Sequence, residues 1–372
     1  MREARPSLVI CHWSLVITVS VTVSAERLRG FAAGLLAACG VPEGDAATAA
    51  GILVEADLRG VHSHGVLGLL VYVKRLRAGG IAPRTSVMPV KEHGAALLLD
   101  GGNGLGQVVG AAAMGRAIAR ARETGVALVG VRNSNHLGMN GAYAMMALPH
   151  DMIGFVTNAG SGNLLAPWGG VDRLLGTNPI ALAVPAGEEP PPLLDMAMSQ
   201  VSKGKITLAA AQGEVNIPAG WALNRRGEPT TDAREAMEGL LVPVGAYKGA
   251  GLSFMTGLLA GVWVGGLFGR EVVELFGPPE VPQRTGHLMA AARVDAFMDP
   301  AEFKRRVDAA IREIRSSARA AGVEAILAPG ERGHRLAARR RADGIPLDAE
   351  VVCKLQGVAD EVGLHEPRLT AP

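Results

Sequence analysis

Helical and strand-like patterns of apolar residues alternate along this chain. Apolar side chains three and four positions apart predict helices over residues 24–39, 43–58, 66–76, 111–122, 142–148, 301–321 and 348–362. Runs rich in apolar and β-branched residues, each ending in a polar or glycine-containing loop, predict strands at 97–100, 126–131, 152–157 and 180–184. This alternation, with helices at both ends, predicts an α/β protein with a mixed sheet.

Residues 1–23 form an atypical N-terminal extension. Their basic start and apolar middle resemble a secretory signal that would end at Ala25. However, Leu15–Val23 alternates like a strand, and it is too short and too interrupted by polar residues to cross a bilayer. The pattern therefore favours an edge strand or a disordered extension over a cleaved signal.

Composition gives no sign of a nucleic-acid or membrane partner. The 372 residues carry 37 basic and 35 acidic side chains, and only 4% are aromatic. The basic run Arg335–Arg341 is interpreted as a solvated helix face rather than a nucleic-acid patch. The cysteines, Cys11, Cys39 and Cys353, fit no CxxC or Cys/His spacing, which indicates a reducing, cytoplasmic location and no structural metal.

The segment Val126–Gly141, VALVGVRNSNHLGMNG, carries the clearest chemical signal. A buried strand is followed by a short polar loop that ends at His136, and Gly138 and Gly141 then allow a sharp turn or a close approach of the backbone to a ligand. Because an imidazole titrates near neutral pH, this position suits proton transfer. The alternative is a structural histidine in a tight turn.

A second polar turn, RGVHSHG, spans Arg59–Gly65. It offers the Ser63 hydroxyl and the His64 imidazole to an active site. His62 and His64 also have the spacing of a metal pair, and together with His136 they would suit a metal-dependent hydrolase or lyase. A plain helix C-terminus is the third interpretation of this turn.

Two further signals are weaker. The loop GGNGLG, which ends at Gly106, follows a strand but lacks the GxGxxG spacing, so the evidence for a Rossmann unit is poor. Asp195 lies at a predicted strand end, where a carboxylate would either cap a helix or orient a histidine.

Eight segments taken together resemble the malate/L-lactate dehydrogenase family of NAD(P)-dependent oxidoreductases. They occur in the family's order, between about Ser24 and Gly344. The matching segments are RGVHSHG (Arg59–Gly65), SNHLGMNGAY (Ser134–Tyr143), PWGG (Pro167–Gly170), GTNPIALAVP (Gly176–Pro185), DMAMS (Asp195–Ser199), GEPTTD (Gly227–Asp232), YKGAGL (Tyr247–Leu252) and APGER (Ala328–Arg332).

The resemblance implies a fold of non-Rossmann type in two lobes. An NAD(P)-binding lobe with a mixed sheet would span residues 96–279, and a helical substrate lobe would combine residues 24–95 with 280–372. The resemblance also implies a homodimer whose active site lies between lobes and subunits. The apolar segment Leu252–Phe268 suits a buried packing helix or a subunit-contact helix.

The resemblance further implies a hydride transfer between NAD or NADP and a small 2-hydroxy or 2-oxo acid, and it suggests roles for named residues. His136 matches the proton acceptor, and His64 and Asp195 are the other catalytic candidates. The substrate-binding candidates are Ser63, His64, Tyr72 and Arg59. The cofactor-binding candidates are His136, Ser161, Thr177, Asn178, Asp195, Met196, Ala197, Lys248, Gly330, Glu331 and Arg332.

One position departs from the family pattern. The pattern SHGVxR contains an arginine that grips the substrate carboxylate, whereas this chain has Gly68 there. Loss of such a charge-assisted pair costs about 1.5–3 kcal/mol of binding. Either Arg59 or Arg75 takes over, or the substrate is unusual, or the chain is a relative that binds the cofactor without turnover.

Overall fold

The computed structural model describes residues 20–160, 162–211 and 216–369. The α-helices in this part of the chain are α1 Ala25–Ala38, α2 Glu43–Leu58, α3 Leu69–Ala78, α4 Gly106–Thr124, α5 Asn140–Ala144, α6 Lys203–Ala211, α7 Ala233–Glu238, α8 Tyr247–Gly257, α9 Pro300–Ser316, α10 Glu331–Asp343 and α11 Ala349–Glu361. None of the helices in these three ranges has the length and apolar character needed to cross a membrane.

The strands form one large sheet and three small ones. They are β1 Ser20–Val23, β2 Met88–His93, β3 Ala96–Asp100, β4 Val126–Ser134, β5 Met152–Asn158, β6 Asn163–Leu165, β7 Leu175–Gly176, β8 Ile180–Ala183, β9 Leu193–Met196, β10 Ala222–Leu223, β11 Pro229–Thr230, β12 Leu240–Leu241, β13 Thr285–Arg293 and β14 Ile345–Asp348. The large sheet has the order β2-β3-β4-β13-β5-β8-β9. Only β3 and β4 pair in parallel, and α4 connects them. The predicted α/β class with a mixed sheet is therefore confirmed.

The two ends of the described chain share one helical core. Helices α1, α2 and α3 pack with α11, and buried side chains such as Phe31, Leu53 and Leu355 fill the space between them. Ser24 accepts a hydrogen bond from the Arg27 amide, so it caps α1. Strand β1 pairs antiparallel with β14 and so joins the start of this core to its end.

The large sheet has a second core on one face and a small apolar cluster on the other. Alternate residues such as Leu99, Val129 and Met289 pack against α4 and α5. Their neighbours face the turn that follows α8, where Leu288 contacts Val264. The sheet is thus covered on both faces at its centre. The C-terminal end of β4 lies at the edge of the helical core.

Several segments differ from their sequence-based expectations. The central strand β13 comes from the stretch assigned to the helical lobe, so the sheet draws on residues beyond 280. The apolar segment 252–268 is helical only in its first part, and many of its side chains are exposed. The residues just before Ala328 form no strand. The predicted strand in the extension is present at Ser20–Val23, and residues 1–19 lie outside the described part.

Candidate active site

A cavity of about 370 Å³ lies beside the end of β4, between the start of α3 and the loop 275–279. Its polar lining consists of Ser63, Tyr72, Lys74, Arg75 and His136. The remaining lining is apolar or glycine: Leu67, Gly68, Leu70, Val71, Leu275, Phe276, Gly277 and Pro279. Three candidates predicted from distant motifs, at positions 63, 72 and 136, therefore share one cavity.

Three contacts hold His136, which lies just after the C-terminal end of β4. Its Nδ1 lies 2.7 Å from the Tyr72 hydroxyl oxygen. Its backbone amide donates to Gln283 Oε1 at 3.2 Å, and its carbonyl accepts from Gln107 Nε2 at 3.3 Å. A Cβ at Gly106 would lie 2.2 Å from the His136 carbonyl oxygen, so glycine is required where α4 begins against this loop. These contacts fix both the backbone and the ring of His136.

The electrostatic surroundings keep His136 neutral. Burial, with smaller contributions from the nearby His64 and His287, lowers its pKa to about 3. A free imidazole titrates near neutral pH, and the pKa of His136 differs because protein atoms of the described chain surround the ring and none of the neighbouring groups there that affect this pKa is acidic. Burial also raises the pKa of the Tyr72 hydroxyl, so that group stays protonated at neutral pH.

The turn that carries Ser63 and His64 is a 3₁₀ turn held by a buried carboxylate. Ser63 Oγ lies 2.9 Å from His64 Nδ1, and the His64 ring is 5.5 Å from the His136 ring, measured between centroids. Asp57, 1% exposed, accepts hydrogen bonds from the Val66 amide at 2.7 Å and from His62 Nδ1 at 2.8 Å. Asp57 thereby joins the end of α2 to this turn.

The second ring nitrogen of His62 contacts an arginine. Arg340, on α10, donates to both His62 Nε2 and the Asp57 carbonyl oxygen. Both ring nitrogens of His62 are therefore occupied by protein groups, and its Nε2 faces a guanidinium. This geometry disfavours a metal site formed by His62, His64 and His136, because the Arg340 guanidinium already lies where His62 Nε2 would bind a metal ion. Arg341 pairs with Glu55, so the basic run on α10 is partly ion-paired against α2 rather than only solvated.

The two arginines considered as replacements at position 68 are engaged elsewhere. Arg75 is fully buried, and its guanidinium donates to the carbonyl oxygens of Pro278 at 3.1 Å and Val281 at 2.7 Å. Arg59 does not line the cavity, and its Nε donates to Glu55 at 2.7 Å. Lys74, which sequence reasoning missed, lines the cavity and is exposed.

Asp195 contacts the start of α5 rather than a histidine. Its Oδ2 accepts from the Gly141 amide at 2.7 Å, which is the helix-capping alternative. Asp195 as a whole is exposed, but protein atoms surround its carboxyl group. Desolvation therefore raises the pKa of this carboxyl group to about 6, although the hydrogen bond from the Gly141 amide lowers it. Asp195 therefore reaches the loop of His136 through the backbone of α5.

Most of the cofactor candidates converge on the segment around Asp195. The Met198 amide donates to the Thr177 carbonyl oxygen at 2.7 Å, and the Leu193 amide donates to Pro329 at 3.0 Å. These bonds bring the segments 177–178, 195–197 and 330–332 together. Asn178 accepts from the Gly160 amide and donates to the Ser253 carbonyl oxygen, both at 2.7 Å, which ties this region to α8. Ser161, another candidate, lies outside the described residues.

The charged candidates in this region differ in their surroundings. Lys248 and Arg332 are exposed on the first turns of α8 and α10, where the helix N-termini also favour anions. Glu331 is buried and paired with Arg315 and Arg335. The exposed cations and helix N-termini suit the phosphates of a dinucleotide. Glu331, in contrast, forms ion pairs inside the protein.

Sequence reasoning also missed groups that surround His136. Gln107 and Gln283 bond to its backbone, and His287 lies fully buried on β13. Gln107 lies directly after the GGNGLG loop, so the strand-loop-helix pattern there was a usable signal. Gln283 and His287 had none, because they are 147 and 151 positions away in the chain and only the folded sheet brings them close.

Comparison with known proteins gives a single family over most of the chain. The model of the family described as malate/L-lactate dehydrogenase matches residues 23–356. The solved structure of malate dehydrogenase from Pyrococcus horikoshii superposes with a TM-score of 0.85 at 38% identity, covering 93% of this chain and 97% of that chain. The match therefore includes both the helical core and the large sheet.

Curated relatives agree with that family. Malate dehydrogenase of Pyrococcus horikoshii is 40% identical over 93% of this chain and 96% of its own length. The (2R)-3-sulfolactate dehydrogenase (NADP(+)) of Chromohalobacter salexigens is 35% identical over 92% of this chain and 99% of its own. The ureidoglycolate dehydrogenase (NAD(+)) of Escherichia coli is 32% identical over 83% of this chain and 87% of its own.

Proposed function

This chain belongs to the malate/L-lactate dehydrogenase family, and from that premise we propose that it is an NAD(P)-dependent dehydrogenase that interconverts small 2-hydroxy and 2-oxo acids. The observation that carries the proposal is the neutral His136 imidazole, bonded to Tyr72 on a cavity large enough for such an acid. A nicotinamide cofactor, when bound, would supply the hydride chemistry at the substrate carbon. The chain's own residues bind the acid and move the proton.

His136 accepts the hydroxyl proton of the substrate during oxidation. Its neutral state at physiological pH leaves one ring nitrogen with a free lone pair. For Nε2 to be that nitrogen, Nδ1 must carry the hydrogen and donate it to the Tyr72 oxygen 2.7 Å away. Proton transfer by a positioned base contributes about 10²–10⁴-fold in rate. A Tyr72 hydroxyl that accepts this hydrogen bond holds the His136 ring in the orientation in which Nε2 is the base.

Ser63 and His64 position the acid next to His136. The Ser63 hydroxyl lines the cavity, and its bond to His64 Nδ1 orients both side chains. Burial lowers the pKa of His64, so it meets the substrate as a neutral hydrogen-bonding group rather than as a cation. We assign these two residues to substrate binding and the proton transfer to His136.

Lys74 supplies the positive charge for the substrate carboxylate. It lines the cavity on the same helix as Tyr72, and its ammonium is free to move because the side chain is exposed. Arg75, one position on, cannot take this role while its guanidinium holds the carbonyl oxygens of the loop 275–281. A lysine here gives a point charge in place of the bidentate grip of an arginine at position 68.

The cofactor phosphates would lie against Lys248 and Arg332, with the backbone of 177–178 and 195–197 beside them. This placement is supported by the convergence of these segments and by the two exposed cations on helix N-termini. The relatives include one named for NADP(+) and one named for NAD(+), so the proposal covers both nucleotides.

The test is a coupled measurement of turnover and cofactor binding. Purified protein is assayed with NADH and NADPH against 2-oxo acids, following the loss of absorbance at the nicotinamide band. We expect turnover with at least one acid, and His136→Asn should lower kcat by 10²–10⁴-fold while NADH affinity stays within about threefold. The control is His93→Gln, because His93 is exposed on β2. Full activity in His136→Asn would refute the proton assignment.

We also infer a homodimer that buries the exposed face of α8 and the turn after it. Apolar side chains cluster there, including Tyr247, Leu252, Met255 and Trp263, which are 48–62% exposed. A second copy is the natural occupant, because a face of this kind resembles the apolar core of a subunit interface. Met255→Glu should convert a dimer to a monomer in light scattering, whereas Met88→Glu, equally exposed on edge strand β2, should not. A monomeric wild-type chain would contradict this inference.

A cytoplasmic location is proposed on cysteine usage. Cys39 and Cys353 have free thiols, and Cys353 is exposed. Free thiols persist in reducing compartments. The test is the fractionation of cells that make the full chain, followed by thiol labelling of the recovered protein. Recovery from a non-cytoplasmic fraction would contradict the proposal.

A further inference from the structure

The walls of the cavity beside His136 are mostly apolar. The side chains of Leu67, Leu70 and Val71 come from the start of α3 and the turn before it. The facing loop contributes Leu275, Phe276 and Pro279. Phe276 is 83% exposed within the described part of the chain, so a large aromatic surface stands at the rim of the cavity.

We propose that this cavity takes 2-oxo and 2-hydroxy acids whose side chain is apolar and bulky, branched or aromatic, in preference to dicarboxylates. The inference rests on the proposed function and specifies its substrate class. Its basis is the juxtaposition of the proton-transfer centre His136, the exposed Lys74 ammonium and a mostly apolar lining within about 370 Å³. Apolar walls with a few polar groups that fix orientation are the usual composition of a small-molecule site.

The charge of the lining limits the substrate to one carboxylate. The lining contains two cationic side chains, Lys74 and Arg75. The Arg75 guanidinium already donates hydrogen bonds to the carbonyl oxygens of Pro278 and Val281. Gly68 contributes no side chain at all. The Lys74 ammonium pairs with the carboxylate next to the reacting carbon, and a second carboxylate on the substrate would face apolar groups and lose its hydration without compensation.

The apolar wall is preformed rather than adaptable. Arg75 clamps the loop by three hydrogen bonds to carbonyl oxygens, and a Cβ at Gly80 would lie only 2.0 Å from the Pro279 carbonyl oxygen, so the end of α3 and the loop are in close contact. A wall held this way keeps its apolar surface open to the cavity. Filling that surface with a hydrocarbon side chain removes it from water without an ordering cost for the loop.

The volume is consistent with a side chain larger than a methyl group. About 370 Å³ lies within the range of roughly 300–1,000 Å³ that is typical of small-molecule sites. Tyr72 limits the cavity near Gly68, since a Cβ at position 68 would be 2.8 Å from its ring. The open space is therefore on the side of Leu67, Leu70 and Phe276, where the substrate side chain would lie.

The experiment compares acids that share the reacting group and differ in the side chain. The full-length protein is assayed with pyruvate, 2-oxobutyrate, 4-methyl-2-oxopentanoate, phenylpyruvate and oxaloacetate at one pH and ionic strength. We expect kcat/KM for 4-methyl-2-oxopentanoate or phenylpyruvate to exceed that for pyruvate and oxaloacetate at least tenfold, as about one to two well-buried methylenes provide. A kcat/KM for oxaloacetate equal to or above these overturns the substrate class and leaves the proposed function intact. No turnover with any acid overturns both.

Two exposed phenylalanines provide a matched pair of variants. Phe276→Ser should lower kcat/KM for the bulky acids about tenfold and leave pyruvate within twofold, because only a large side chain reaches the rim. Phe297→Ser, at a position 88% exposed and outside the cavity lining, should change neither. Since both residues are exposed, both variants should fold. Equal effects of the two substitutions, or an equal loss for pyruvate and the bulky acids, would overturn the assignment of the apolar wall.

Discussion

The Tyr72 hydroxyl oxygen lies 2.7 Å from His136 Nδ1, although the two residues are 64 positions apart in the chain. Tyr72 belongs to the helical core through α3, whereas His136 follows strand β4 of the large sheet. The bond therefore joins the two cores at the cavity. The relative position of α3 and the sheet sets the ring orientation on which proton transfer depends.

Removal of the Tyr72 hydroxyl should impair catalysis more than binding. We expect Tyr72→Phe to lower kcat about 10–100-fold, because the ring of His136 then loses the hydrogen bond that fixes its orientation. The substitution keeps the aromatic ring, so the packing of α3 should survive and KM for the cofactor should stay within twofold. Steady-state kinetics and a thermal unfolding scan check both points. An unchanged kcat would mean that the bond has no catalytic role.

The pH profile of oxidation should separate Asp195 from His136. The pKa of Asp195 is raised to about 6 and that of His136 is lowered to about 3, so of these two groups it is Asp195 that changes charge between pH 8 and 5. Protonation of Asp195 removes a negative charge near the His136 loop, and kcat/KM should fall as the pH drops through about 6. The variant Asp195→Asn should show a flat profile over this range. A limb that persists near pH 6 in the variant would exclude Asp195 as its source.

Local patterns predicted the elements that carry the candidate site. His136 was identified because a buried strand, a polar loop and two glycines stand next to each other in the sequence. The Asp232 cap of α7 and the Ser24 cap of α1 are equally local features. Interactions between residues close in sequence leave a recognisable spacing of side-chain types, so they can be predicted from one amino-acid sequence.

The central strand β13 illustrates what the spacing could not reveal. Its sequence, TGHLMAAAR, has few β-branched residues, and its alanines favour a helix by intrinsic propensity. The folded chain uses small residues there because the turn after α8 packs directly on the strand, and a Cβ at Gly286 would lie 2.0 Å from the Ala260 carbonyl oxygen. Arg75 is a similar case, because its role as a clamp depends on a loop some 200 positions away.

The carboxylate of Asp57 should position the Ser63–His64 turn without touching substrate. Asp57→Asn keeps the shape but removes the charge that holds His62 Nδ1 and the Val66 amide. We expect KM for the acid to rise about five- to tenfold, KM for the cofactor to stay within twofold, and the melting temperature to fall by several degrees. Glu92→Gln is the control, since Glu92 is an exposed acid paired with Arg120. A parallel rise in both KM values would indicate general damage to the fold.

His287 should make the fold sensitive to acid. It is fully buried on β13, and burial lowers its pKa to about 3, whereas an unfolded histidine has a pKa near 6.5. Between these values the unfolded chain binds a proton that the native chain excludes, so the free energy of unfolding falls as the pH is lowered. From pH 7 to pH 5 the contribution is about 2 kcal/mol. Urea unfolding at both pH values should show this drop reduced by that amount in His287→Leu but not in His93→Gln.

Gly68→Arg should trade catalysis for carboxylate binding. A Cβ at this position would lie 2.8 Å from the Tyr72 ring, so even Gly68→Ala should displace Tyr72 from His136 and lower kcat several-fold. The arginine adds a charge-assisted grip worth about 1.5–3 kcal/mol, and we expect its KM for oxaloacetate to be about 10–100-fold lower than that of the alanine variant. The comparison of the two variants isolates the charge from the steric effect. Equal KM values for both would mean that Lys74 already saturates carboxylate binding.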